Sequence, residues 1–179
     1  PDNFIKAYQY VNKGLYDKSL SLLLQFNEYD IDKNNRKEYY LALASSYYHK
    51  NEYEKSLTYF QKLGQILNNE TTDSIYNLYS NYGCMKNLYM LERYDEILKK
   101  YENIIEYSET NDINEIDKIE LKSEIVDIIY QSILFKAGSY INKGELDKAD
   151  TYIEKFRQNI ENDIDDDKTN SINHLKEML

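Results

Sequence analysis

Residues 39–63, YYLALASSYYHKNEYEKSLTYFQKL, decide the fold. Tyr40, Leu43, Ala44 and Tyr47 recur at i, i+3, i+4 and i+7, the spacing that gathers side chains on one stripe of a helix. After a break at Asn51 and Glu52, Tyr53, Ser56, Leu57, Phe60 and Leu63 form a second stripe. Two stripes joined by so short a break predict an antiparallel helix pair. Helices this short cannot bury both stripes against each other alone, so the pair requires copies of itself stacked alongside.

The totals agree with an all-α chain. Its 179 residues include 5 Gly and 1 Pro, so residues that break helices or make tight strand turns are nearly absent. A net charge of -10 opposes phosphate backbones and anionic lipid, so this segment is not expected to bind nucleic acid directly. No apolar run approaches the roughly 20 residues that span a bilayer, and no membrane association is expected. The single cysteine, Cys84, excludes an internal disulfide framework and fits a reducing, cytoplasmic setting. A start at Pro1 leads us to expect further sequence upstream in the full gene.

Taken in order, the periodic segments and polar breaks divide the chain into helix pairs over about residues 2–27, 36–67, 74–107 and 114–162, within one domain spanning 1–179. The first part of the fourth pair runs from about 114 to 142 before its break, as one long helix or two with a bend. A short helix over about 168–179 follows the acidic run Asp163 to Asp167. Its stripe of Ile172, Leu175, Met178 and Leu179 is expected to cap the last pair, or to pair two copies of the chain as a homodimer.

The turns repeat. GLYDKSL at 14–20, NEYEKSL at 51–57, ERYDEIL at 92–98 and GELDKAD at 144–150 superimpose, with spacings of 37, 41 and 52 residues from Tyr16 to Tyr53, Tyr94 and Leu146. This pattern resembles the tetratricopeptide repeat, a helix-turn-helix unit with a period of about 34 residues. Ala7 with Ser19, Ala44 with Ser56, and Ala137 with Ala149 match the small residues at that family's helix crossings. Larger residues match its packing positions: Tyr10, Tyr47, Leu88 and Tyr140 in first helices, and Leu23, Phe60, Tyr101 and Ile153 in second ones. The third copy departs, with Met85 and Ile97 at the crossing, and the family's proline at the repeat end is missing throughout.

The resemblance implies a right-handed superhelix of about four hairpins with a C-terminal cap, whose first helices line a concave groove. It places Tyr8, Asn12, Ser45, Tyr48, His49, Tyr82, Lys86, Tyr89, Gln131 and Asn142 along that groove, where a peptide or protein segment would bind. Tyr and Asn suit peptide capture, because amides bond an extended backbone and Tyr offers wide amphipathic area at small entropic cost. An Asn- and Tyr-rich composition would also fill exposed helix faces with these residues. Lys86 alone is basic among the ten, so the paired Lys and Asn carboxylate clamp of the chaperone-binding branch is not reproduced.

The looser, longer repeats are similar to the sensor domains of bacterial peptide-responsive transcriptional regulators, which implies a ligand-sensing module. The alternative is a passive scaffold that joins proteins through its outer face. No cofactor, metal or catalytic role is expected. Asp30, Asp32, Asn34 and Asn35 imitate the start of a calcium loop, but its twelfth position, where a bidentate Glu belongs, is Leu41. Cys84 reads as a small buried apolar residue, and neither His49 nor His174 is near it in sequence.

Overall fold

The four turns singled out by the repeat share one backbone conformation. Gly14, Asn51, Glu92 and Gly144 have φ of +70°, +60°, +59° and +73°. The residue after each donates its N–H five residues back, from Leu15 to Tyr10 O, Glu52 to Tyr47 O, Arg93 to Leu88 O and Glu145 to Tyr140 O, at 2.8–3.0 Å. The turn residue itself donates three back, to Val11, Tyr48, Tyr89 and Ile141. This is the Schellman arrangement, which satisfies the last carbonyls of a helix and reverses the chain within three residues.

These turns punctuate an all-helical structure, a computed structural model that describes residues 2–32, 35–67, 75–110 and 119–160. In order the helices are α1 (Asp2–Asn12), α2 (Tyr16–Leu23), α3 (Arg36–His49), α4 (Tyr53–Leu67), α5 (Ile75–Met90), α6 (Tyr94–Thr110), α7 (Ile119–Asn142) and α8 (Leu146–Ile160). A single 3-10 turn at Glu28–Asp30 lies between α2 and α3, and no strand occurs among the described residues. The long first part of the fourth pair is one continuous helix over its described residues. Residues 168–179, and with them the expected cap and its apolar stripe, lie outside the described residues. No described helix is long and apolar enough to cross a membrane.

The turns at Asn51 and Glu92 are points of predictable strain. An L-residue in the left-handed region costs about 1–2 kcal/mol, and Gly escapes this at some entropic cost of its own. Glu92→Gly is therefore expected to raise stability by about 1 kcal/mol, and Gly14→Ala to lower it by a similar amount. Urea melts of the two variants check both signs; a loss of stability in Glu92→Gly would mean that its side chain holds something the turn needs.

The small residues expected at the crossings are enclosed by the helix packing. Ala7, Ser19, Ala44, Ser56, Ala137 and Ala149 are all 0% exposed, and so are Met85 and Ile97 in the divergent copy. Each helix also packs on the next pair: α2 on α3, α4 on α5, α6 on α7, while α1, α3, α5 and α7 touch in succession. This second set of contacts explains where the single-stripe reading fell short. On α3, Tyr39, Ala42 and Ser46 are buried as well as the predicted Tyr40, Leu43, Ala44 and Tyr47, because α1, α2, α4 and α5 all pack around that helix. The core runs through the stack without a gap, since Leu41 and Tyr59 pack against both the cluster around Leu23, Leu43 and Leu63 and the cluster around Phe60, Leu88 and Ile104.

Ion pairs join the four turns in sequence along one edge. Asp17 meets Lys50, Glu54 meets Arg93 at 3.7 Å, and Asp95 meets Lys143 at 2.5 Å. Each acid follows the aromatic residue of its turn motif, and each base belongs to the next turn. Exposed pairs of this kind contribute little to stability, so their effect is to fix the register of one pair on the next.

Candidate functional site

Successive contact among α1, α3, α5 and α7 brings one face of each toward a shared cavity of about 600 Å³. From α1 come Tyr8, Val11 and Asn12; from α3, Leu41, Ala42 and Ser45. Helix α5 supplies Tyr79, Tyr82, Gly83 and Lys86, α7 supplies Glu124, Asp127, Ile128 and Gln131, and the Phe60 ring of α4 reaches in beside Gly83. Six of the ten residues placed on the groove from sequence thus line it: Tyr8, Asn12, Ser45, Tyr82, Lys86 and Gln131. Tyr48 adjoins it through Lys86.

The other three sit at the turn edge, in the last turn of their helices, and do not line the cavity. His49 stacks flat on Tyr16 with ring centroids 4.3 Å apart and meets the edge of Tyr48. Asn142 donates to the Tyr89 hydroxyl at 3.3 Å and to Gly138 O at 2.8 Å, closing the space between α5 and α7. Burial and then the nearby Lys86 charge hold the His49 imidazole below its ordinary value.

Lys86 is the electrostatic centre of the cavity. Its ammonium lies 4.4 Å from the Tyr48 ring centroid and 4.8 Å from that of Tyr82, within cation–π range of both. Among the described residues no carboxylate pairs with it, whereas Lys50, Lys55, Lys62, Lys143 and Lys148 each have one. Burial lowers the Lys86 pKa from its ordinary value. On the α7 side the Tyr79 hydroxyl is hydrogen-bonded to Glu124, and burial together with that carboxylate pushes the phenol well above its usual range. Burial also raises Tyr82 to about 12, so both rings act as neutral donors at any physiological pH.

Sequence reasoning missed Tyr79, Glu124 and Asp127, which line the cavity beside the expected residues. Glu124 and Asp127 lie seven and four positions before Gln131, on the same helical face, and that spacing was the signal available. Of the calcium-like residues, Asp30 ends a 3-10 turn capped by Asn27, whose side chain accepts from the Tyr29 N–H at 3.1 Å, and Asp32 follows that turn; Asn34 lies outside the described residues. Cys84 is a free thiol, 0% exposed, which burial pushes up to about 11.

The crossing and the cavity wall respond differently to mutation. Ala44 is 0% exposed and its carbonyl accepts the Ser56 hydroxyl at 2.8 Å, so Ala44→Leu forces overpacking worth about 1–3 kcal/mol. Tyr48→Ala removes only a half-buried ring and is expected to destabilise less. Urea melts giving the reverse order would refute this placement of α3.

No family model, no curated protein and no solved structure matches the chain.

Proposed function

We propose that the chain is a tetratricopeptide-type module in which four antiparallel hairpins form a right-handed superhelix that holds a peptide or protein segment in its groove. In this reading it is the ligand-sensing part of a cytoplasmic bacterial regulator and carries out no catalysis itself. The observation that supports it is that one cavity draws side chains from α1, α3, α5 and α7, one helix of every pair. A segment seated there would touch all four pairs at once, and its binding would couple to their relative positions. The cavity falls within the range of about 300–1,000 Å³ typical of ligand sites, and its Tyr, Asn, Gln and Ser lining suits an extended backbone.

The test is a screen of bead-bound synthetic hexapeptides against the chain, followed by calorimetry of the enriched sequences. One-to-one binding is expected, weakened about tenfold or more by Asn12→Ala and Gln131→Ala and unchanged by Tyr29→Ala. Tyr29 is 81% exposed and outside the cavity. An empty screen, or binding that depends on Tyr29 and not on Asn12 or Gln131, would reject the groove and favour a passive scaffold that works through its outer surface.

A further inference from the structure

We infer that the occupant of the cavity presents one carboxylate to Lys86. The inference rests on the peptide-binding reading above and adds the chemistry of the recognised group. A cation partly withdrawn from water is stabilised by a counter-charge or by polar partners, and half-buried Lys86 has neither among the described residues, only the faces of Tyr48 and Tyr82. Each ring offsets part of the desolvation of an ammonium, and the remainder is available to a ligand that brings its own negative charge. The two rings also fix the side chain, so little rotamer entropy is lost when a carboxylate arrives.

The rest of the lining limits how much charge the ligand carries. Glu124 and Asp127 face the same cavity from α7, and the chain as a whole has a net charge of -10. A polyanion such as a nucleic acid or polyphosphate would meet these carboxylates as well as Lys86, whereas a single carboxylate can approach from the α3 and α5 side, where Ser45 and Tyr82 offer hydroxyls. The carboxylate can be the C-terminus of a peptide or an Asp or Glu side chain within it.

Two bead libraries separate these sources, one of hexapeptides ending in a free carboxylate and one ending in a carboxamide. A terminal site enriches only the first, and a side-chain site enriches both, with Asp or Glu at one fixed position. In either case, changing that carboxylate to its amide in the synthetic peptide is expected to weaken binding to the native chain about tenfold or more, and Lys86→Arg is expected to keep the preference. In Lys86→Met, which retains an apolar stem between the rings, carboxylate and amide peptides are expected to bind alike. Inorganic tripolyphosphate at millimolar concentration is expected not to compete. Equal binding of the acid and amide forms to the native chain, a preference that survives Lys86→Met, or competition by tripolyphosphate would each overturn the inference while leaving peptide binding intact. An empty screen of both libraries would instead remove the groove reading on which it rests.

Discussion

Gly83→Ala is expected to lower the unfolding free energy by about 3 kcal/mol, at the upper end for overpacking. A Cβ on residue 83 would lie 2.3 Å from Phe60 Cε1 and 2.4 Å from Cδ1 and Cζ, far inside contact distance. The ring or the helices must move to make room. Phe60 is 3% exposed, and its carbonyl accepts the Ser80 hydroxyl at 2.8 Å, which ties that turn of α4 to α5. A second close approach lies nearby, where a Cβ on Gly64 would stand 2.8 Å from Ser80 Oγ. Either the helices separate or the ring turns into the cavity. Because the clash is with one ring, Phe60→Leu combined with Gly83→Ala is expected to be less destabilised than the sum of the single changes. A Gly83→Ala variant as stable as the native chain would show that α4 and α5 do not approach as closely as described.

Asn87→Asp is expected to cost about 4 kcal/mol at neutral pH, through a buried charge with no partner. Asn87 is 0% exposed, and its amide nitrogen donates to Ser56 Oγ at 2.9 Å and to Gly83 O at 2.8 Å. The Ser56 hydroxyl is already committed to Ala44 O, so a carboxylate would face oxygens where the amide had offered hydrogens. Asn87→Leu keeps the approximate volume, leaves the Ser56 bond to Ala44 intact, and is expected to cost only about 1 kcal/mol. The pH dependence carries the sign. An acid disfavoured as an anion in the folded state has its folded pKa raised above the unfolded value near 3.9, so the folded protein binds more protons between the two. Stability of Asn87→Asp is thus expected to be lost as pH rises through that window and to recover as pH falls. Denaturant melts at several pH values check this, and an Asp variant matching the Leu variant at pH 7 would refute it.

These two sites mark where sequence reading ended. The turn motifs were legible because a Schellman turn depends on local residues, and the burial of Ala7, Ser19, Ala44 and Ser56 because they recur at a fixed offset from those turns. Nothing in the sequence around Gly83 signals its role, since its contact depends on where the Phe60 ring of a preceding helix falls. Asn87 had no visible role for the same reason; its partners lie 31 and 4 residues away, on two helices. In the cavity, Lys86 was legible as a lone base, but the rings of Tyr48 and Tyr82 around it depend on how α3 crosses α5. His49, Tyr89 and Asn142 were grouped with the lining by repeat position, and the end-of-helix geometry turned them to the edge instead.

The most direct measurement is carbene footprinting of the chain, with residue-level mass spectrometry, in the absence and at saturation of an enriched peptide. Labelling of Tyr8, Asn12, Tyr82 and Gln131 is expected to fall together on binding, while that of Tyr29 and Leu24, both exposed and outside the cavity, stays constant. Protection of Tyr29 and Leu24 with the four cavity residues unchanged would contradict a ligand groove formed by α1, α3, α5 and α7.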